Sequence, residues 1–503
     1  MADPYAANPS PANPSPASSS PAGAARPALP ARPAVPALLT ALISITVTVL
    51  LLAMSVWTDR PGAETFSVND LRMIALCVMA IGLWASAIVP EHFTALAFFL
   101  GAMLLSVAPA SVVFSGFHST ALWLVFAGLL IGTAIKNSGL AARFAAVLSA
   151  RLGFSYARNV VGLVALGIAL SFLMPSSLGR VLILMPIAVA LVDRLGLVEG
   201  RKGRTGLLAA MGFGAVIPAF SILPANVPNL ILGGLAETLY GTPPTYATYL
   251  AMHFPFLGLG KAAVIVAGIL WLFPDRITAE LPEESSEAVE QNATQSPISR
   301  TERVLLIVLS ITLGLWATDA LHGISPAWIG LGAALVCFLP GVAVLEKNDF
   351  NSLNFASLIY VAGVVALGAM IADSGLGTLL GKTLIEQAGI APGEPIRSFL
   401  VIAASGALSG LALAAPGVPG VFTPIAEGLA SASGLPLQTV LMTVVVSFST
   451  IILPYQAPPL IIAMAYGKVS LGDAAKLTLF LTAASFLLLY PATAGWWRFT
   501  GHL

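Results

Sequence analysis

Seven consecutive residues, Met174-Pro175-Ser176-Ser177-Leu178-Gly179-Arg180, place two hydroxyls and a guanidinium beside a proline in the middle of an apolar run. A guanidinium presents a planar fork of donors that matches a carboxylate or a sulfate, and an arginine inside an apolar segment is costly unless a site uses it. Anion binding or charge balance is therefore expected at Arg180, against the structural alternative that the side chain snorkels to the aqueous edge. In one form of the first reading the guanidinium takes the place of a coupling cation. Asn226 and Gln456 stand in two further interruptions, Leu223-Pro224-Ala225-Asn226-Val227-Pro228-Asn229 and Leu453-Pro454-Tyr455-Gln456-Ala457-Pro458-Pro459. Amides both donate and accept, which suits a polar substrate and equally suits capping the helix ends that the prolines set free. Tyr455 can lend a hydroxyl or simply pack. Pro228, Asn229 and Pro458 complete these loops, while Gly179, Gly417 and Gly420 allow tight backbone near the apices. Lys261 and Glu427 are further charges in apolar segments, for which an ion pair or a proton relay is expected, the ion pair first.

Other chemistry is poorly represented. Cys77 and Cys337 lie in separate apolar runs, and the five histidines are scattered without metal-ligand spacing. The metalloprotease pattern HExxH, the hydrolase elbow GxSxG and the phosphate-binding P-loop are all missing from the sequence. Neither an enzyme nor a resident cofactor is expected.

The elements that must position these residues are set by composition. Of 503 residues 57% are hydrophobic and 9% charged, against roughly 25% charged in a soluble domain. Runs of about 20 apolar residues can each cross a hydrocarbon core of about 30 Å, and such long continuous runs cross as helices. The 23 basic and 23 acidic residues cancel, leaving no field for nucleic acid. Residues 1–36, rich in Pro, Ala and Ser, read as a disordered tail. The run 37–57 reads as a first transmembrane helix that is retained rather than cleaved.

Spans are then expected at about 70–89, 92–113 and 117–136, followed by an amphipathic stretch carrying Arg143, Arg151 and Arg158. Residues 159–196, apolar on both sides of the Ser-Ser apex, read as a re-entrant hairpin. Residues 205–240 read as one broken crossing, and 248–273 as a span leading to an acidic linker, 274–303. The succession recurs at 304–321, 327–345, 355–372, an amphipathic stretch to 389, a hairpin at 398–433, a broken crossing at 437–467 and a last span at 474–497. Asn137-Ser138-Gly139-Leu140 matches Asp373-Ser374-Gly375-Leu376, Pro186-Ile187-Ala188 matches Pro424-Ile425-Ala426, and the two Leu-Pro breaks match each other at a nearly constant offset. The fold expected is an all-α polytopic membrane protein of about 11 transmembrane helices, with about five crossings and one re-entrant hairpin in each repeat (70–273 and 304–497).

Charge orients it. Arg143, Arg151, Arg158, Arg194, Arg201, Lys202 and Arg204 surround the first hairpin, whereas the second offers Lys382 and Arg397. Cytoplasmic flanks are rich in Lys and Arg, so the hairpins should open to opposite faces, with the N-terminus cytoplasmic and the C-terminus outside. Inverted repeats with interrupted helices are a plan of secondary transporters, whose binding sites lie where unwound backbone meets near the midplane. A channel and a membrane receptor are the weaker alternatives.

The phrases MPSSLGRVLILMPIAVAL, ILPANVPNLILGG and ILPYQAPPLIIAMAYG, on this plan, resemble the divalent anion/sodium symporter family of dicarboxylate, citrate and sulfate carriers, from residue 37 onward. In that family a Ser-Asn-Thr triplet at each hairpin apex supplies substrate and sodium contacts. The corresponding positions here are Ser176-Ser177-Leu178 and Ala414-Ala415-Pro416, so the second apex has no side-chain ligand. The resemblance implies a small anionic substrate of dicarboxylate or sulfate class held by Ser176, Ser177, Gly179, Arg180, Asn226, Pro228, Asn229, Gly417, Tyr455, Gln456 and Pro458. It further implies sodium at Ser176, Ser177 and Asn226, a homodimer in a bacterial inner membrane, and an elevator-type moving domain of hairpins and broken helices. Because the triplets depart from the pattern, proton-coupled transport or exchange without sodium stands beside sodium coupling.

Overall fold

A helix that is apolar on all sides can be buried only in protein or in lipid, and prolines decide where such a helix must stop. Both rules organise this chain. In the computed structural model the described residues are 35–57, 67–141, 143–144, 155–277 and 297–503, and all regular structure among them is helical. The tail, Arg151 and most of the acidic linker lie outside the described residues.

The first helix, α1 (Val35–Trp57), packs on α2 (Val68–Ser86), where Thr48 Oγ1 donates to the Ala75 carbonyl at 3.2 Å. Next come α3 (Glu91–Leu104), α4 (Thr120–Ser138), α5 (Tyr156–Leu173) and α6 (Ser177–Arg194). They are followed by α7 (Lys202–Val216), α8 (Val227–Tyr240) and α9 (Tyr246–Leu272), the last containing a π-helical segment at Phe254–Gly260. A comparable succession follows: α10 (Arg300–Ala317), α11 (Pro326–Phe338), α12 (Phe355–Asp373), α13 (Leu376–Ala388), α14 (Pro395–Phe422), α15 (Ala426–Ser433), α16 (Leu437–Phe448) and α17 (Pro458–Tyr466). It closes with α18 (Leu471–Phe499), which also contains a π-helical segment, Ser485–Leu489.

Among the described residues nine helices are long and apolar enough to cross a membrane, or ten if the bent pair α15–α16 is one span. The sequence predicts about eleven. Two of its spans shrink: α3 has 14 residues and α11 has 13, reaching about 20 Å at 1.5 Å per residue, short of a hydrocarbon core of about 30 Å. The predicted span 92–113 in particular stops at Leu104. Conversely α5, most of which reads in sequence as one arm of a re-entrant hairpin, has 18 residues and is long and apolar enough to cross.

The Ser-Gly turns after α4 and α12 are built alike. Gly139 and Gly375 have φ of 77° and 75°, a left-handed backbone that costs glycine nothing. In each turn the preceding serine donates back to the helix and accepts from the residue after the glycine: Ser138 Oγ to the Ile135 carbonyl with Leu140 N returning, Ser374 Oγ to the Ile371 carbonyl with Leu376 N returning.

Polar contacts gather at the two ends of the bundle. Asn137 donates to Asp349, Arg143 pairs with Glu302 at 2.7 Å, Arg201 with Asp275 at 2.8 Å and Lys468 with Glu199 at 2.5 Å. The Arg201 guanidinium holds the Asp275 carboxyl below the usual carboxylate range. These residues lie where α4 and α9 finish and α10 begins. At the other end of the same helices Thr120 donates twice to Glu237, Tyr246 N donates to Asp319, Trp496 Nε1 donates to the Ala251 carbonyl and Thr439 Oγ1 to the His502 carbonyl. The loop after α6 is thus at the first end, and the start of α16 is at the second.

The largest core joins α5 to α9 with α14 to α18, and smaller cores join α2 and α3 to α12 and α4 to α10 and α11. In the large core, α5 lies backbone to backbone on α7: a Cβ on Gly167 would fall 2.4 Å from the Gly214 carbonyl carbon. The α14–α16 contact is similarly close, since a Cβ on Gly406 would fall 2.5 Å from Ser447 Oγ.

Candidate functional site

The first site residues stand at two helix interruptions that face each other. Pro175 supplies no amide donor, so α5 ends with an extended Met174, and α6 restarts at Ser177 under a cap in which Ser176 Oγ accepts from Gly179 N at 3.1 Å. Between α7 and α8 the chain passes through two short 3-10 turns, Pro218–Ser221 and Leu223–Ala225, each opened by a proline near its start. Asn226 then caps α8, its Oδ1 accepting from Asn229 N at 3.3 Å, and Pro228 occupies the first turn where a missing N–H costs nothing. Asn229 Nδ2 donates to the carbonyls of Ala219 and Ile222 at 3.3 and 2.8 Å, which fixes the unwound loop.

Arg180 bridges these interruptions and is 0% exposed. Its Nε donates to the Ala215 carbonyl at 3.1 Å, one terminal nitrogen to the carbonyls of Met174 and Ala225 (the latter at 3.1 Å), and the other to Ser177 Oγ at 2.9 Å. Ser177 Oγ is itself 3.4 Å from the Ala225 carbonyl. The guanidinium therefore does not snorkel; it sits on the C-terminal carbonyls of α5 and α7, where the helix dipole favours a cation. Two buried amide atoms in the same loop have no hydrogen-bond partner, Asn226 Nδ2 and Asn229 Oδ1. Unpaired buried polar atoms are rare in native interiors, and here one donor and one acceptor lie within four residues.

The second half is constructed differently. Helix α14 kinks at Ala414, which adopts φ 55° and ψ 171°, a region that strains any residue with a Cβ. Ala414, Ala415 and Pro416 contribute no polar side chain, and Gly417 sits where a Cβ would meet Leu413 at 3.1 Å. At the second break Gln456 is buried and its Oε1 accepts from Ile452 N and Leu453 N, both at 2.7 Å, so its carbonyl serves the loop. Tyr455 is 45% exposed and its hydroxyl donates to the Leu411 carbonyl at 2.5 Å. Pro458 opens α17 and is exposed.

Two charges land differently from expectation. Glu427 is exposed at the start of α15 and enters no ion pair among the described residues. Lys261 is 0% exposed and likewise has no acidic partner; its ammonium donates to the carbonyl and the hydroxyl of Ser449, the latter at 2.9 Å. Ser449 ends α16 at the second break. Sequence reading marked Lys261 but missed this partner, and the run Ser447-Phe448-Ser449-Thr450 ahead of Leu453-Pro454 was the available signal. A cavity of about 140 Å³ lies beside the first break, lined by Thr120, Leu124, Leu223, Leu230, Pro244 and Asp319.

A family model for the sodium:sulfate symporter transmembrane region matches residues 36–503. The chain belongs to that family. It is accordingly a multi-pass membrane transporter and not an enzyme, and its substrate is a small anion. Similar curated proteins include one from Cupriavidus necator named only as a membrane protein, 24% identical over 88% of this chain and 90% of its own length. The sodium-dependent dicarboxylate transporter SdcS of Staphylococcus saprophyticus is 21% identical over 89% of this chain and 90% of its own. The chloroplastic dicarboxylate transporter 1 of Spinacia oleracea is 23% identical over 65% and 58%. Among solved structures, the YdaH transporter of Alcanivorax borkumensis covers 93% of this chain and 99% of its own, with a TM-score of 0.51 at 16% identity, a likeness of fold.

Proposed function

We propose that this symporter-family member is an alternating-access carrier for a small anion of dicarboxylate or sulfate class. The observation that carries the reading is the unpaired Nδ2 of Asn226, buried in the unwound loop whose preceding carbonyl, that of Ala225, accepts from the Arg180 guanidinium. A donor without an acceptor, next to a positive charge, suits an anionic oxygen. Asn229 Oδ1 is left to accept from a hydroxyl or water, and Ser176, Gly179, Gly417, Tyr455, Gln456 and Pro458 frame the approach from both halves. Relatives named as dicarboxylate transporters support the substrate class.

In this reading the halves are inverted repeats, the paired helices α5–α6 and the α14 kink are hairpins opening to opposite faces, and the large core travels as an elevator past the smaller ones. The opposed ends at which the loop after α6 and the start of α16 lie are what that arrangement requires. A homodimer in a bacterial plasma membrane, with the N-terminus cytoplasmic and the C-terminus outside, completes it.

Sodium at Ser176, Ser177 and Asn226 is the less favoured coupling. Ser177 Oγ accepts from Arg180, Ser176 Oγ and Asn226 Oδ1 each accept from a backbone N–H, and the Ala225 carbonyl is shared by Arg180 and Ser177. Exchange without sodium fits these partners better.

The test is thermal unfolding of the purified protein with succinate, malate or sulfate, in sodium and in choline chloride. A ligand that binds only the native state stabilises it by RT ln(1 + [L]/Kd), about 2.7 kcal/mol at 100 times Kd. At least one of these anions should raise the midpoint in both salts. Failure of all three in either salt sinks the substrate class.

A further inference from the structure

The cavity beside the first break brings together space, hydrocarbon walls and a charge that no cation neutralises. Its volume, about 140 Å³, is close to the roughly 150 Å³ of an apolar cavity that admits a single benzene ring. Leu124, Leu223, Leu230 and Pro244 supply the hydrocarbon. Asp319 lines the same space, is 3% exposed and enters no ion pair among the described residues. Its carboxylate accepts from Tyr246 N at 2.5 Å and from Ala247 N at 3.4 Å, two amides at the start of α9 that carry only partial positive charge. A carboxylate offers about four acceptor positions, so about two are left. A buried full charge matched only by partial ones is costly, and a cation brought to it makes a charge-assisted hydrogen bond.

The walls come from two sets of helices. Leu124 belongs to α4, which shares a smaller core with α10 and α11, and Asp319 lies between those last two helices. Leu223 belongs to the first break, and Leu230 and Gly233 to α8. Thr120 of α4 donates to Glu237 of α8, and Asp319 accepts from α9, so the two sides are bonded to each other at the cavity. An occupant touches both sides at once, and it fits only while they keep this register.

We propose that this cavity is a regulatory site for a small organic ammonium ion with an apolar body of one-ring size. The ammonium sits on Asp319 and the ring between Leu124 and Leu230, and the occupant holds α8 against α4 and arrests transport. A neutral ring fills the walls but leaves the carboxylate without a cation, and an inorganic cation leaves the walls empty. Binding stands on the cavity alone, whereas the arrest rests on the carrier reading above.

Thermal unfolding of the full chain in detergent tests the binding, with benzylamine as probe and benzyl alcohol and toluene as neutral analogues. Benzylamine should raise the midpoint more than either. Asp319→Asn keeps an oxygen for Tyr246 N but removes the charge, and should weaken benzylamine by about tenfold or more while benzyl alcohol is unaffected. Gly233→Leu fills the cavity from a position where an added Cβ meets nothing nearer than Pro244 at 4.0 Å, and should abolish the shift by all three; it carries the comparison alone if Asp319→Asn does not fold. No benzylamine shift in the wild type, or a shift of wild-type size in Gly233→Leu, overturns the site. In proteoliposomes, benzylamine should lower the maximal rate of succinate uptake at unchanged KM. Inhibition relieved by excess succinate, or an unchanged rate at concentrations that saturate the thermal shift, overturns the arrest. If succinate, malate and sulfate all fail to enter without benzylamine, the carrier reading falls and the arrest with it, while the thermal shifts still decide the site.

Discussion

The two broken crossings do the same geometric job in different surroundings. In the first, every residue from Ile217 to Asn226 is buried, and a guanidinium holds the carbonyls of three separate segments. In the second, Ile452 and Leu453 are half-buried, Tyr455 and Pro458 are exposed, and an ammonium holds one residue. An unwound helix exposes donors and acceptors that must be satisfied. The first break satisfies them with a multidentate cation and the Asn229 side-chain amide. The second does so with its own glutamine amide and, where it is open, by leaving backbone near the surface. Among the described residues unpaired buried amide atoms remain at the first break and not at the second, which is why the more specific chemistry is proposed for the first half.

The strongest way to break this comparison is at Arg180. Arg180→Ala removes the donors of three buried carbonyls and of Ser177, and should destabilise the protein by about 3–5 kcal/mol, with Arg180→Lys recovering part of the loss. Thermal unfolding in detergent measures it, and an Arg180→Ala midpoint equal to wild type would deny the first break its organising role. A sharper and smaller effect is expected at Asn226. Asn226→Ser keeps an oxygen to cap α8 but deletes Nδ2, so melting should hardly move while anion affinity falls by about 0.5–1.5 kcal/mol, up to roughly tenfold. Equal affinity for succinate and sulfate in that variant would mean that the unpaired donor does not face the substrate. The smallest change belongs to the open break: Tyr455→Phe deletes one hydrogen bond at a side chain that is nearly half exposed, and both melting and exchange should stay within about 1 kcal/mol of wild type. A large loss of exchange there would move the specific chemistry to the second half.

Most of the architecture was legible from residue order because hydrophobic length and proline position leave few choices. The breaks at Pro175, Pro224 and Pro454 fall where their missing donors require. The length of α3 was not legible, since the apolar run continues past Leu104 while the helix stops; local turn geometry at Ser106, with φ 53°, overrides composition. Within the site, Arg180, Asn226 and Gln456 were identifiable as polar residues in costly places, but their partners were not. The carbonyls of Met174, Ala215 and Ala225 carry no residue-type signal, so nothing in the letters says that a guanidinium will collect them. Lys261 was misread for the same reason. An ion pair was the natural expectation for a buried amine, and its partner is a serine 188 positions away.

The glycine contact between α5 and α7 has a mechanical meaning. With Gly167 pressed against the Gly214 backbone, α5 is locked to α7 with no layer of side chains to act as a bearing, and Gly406 of α14 sits directly on the Ser447 side chain of α16. Sliding α5 past α7 would force backbone through backbone. The Pro175 apex and its neighbouring break must therefore behave as one stiff cartridge, and any displacement has to be taken up by the surfaces around it. A single methyl group added at Gly167 would act as a shim, pressing on the Ala215 amide nitrogen at 2.5 Å and so spoiling the alignment of Arg180 with the Ala215 carbonyl.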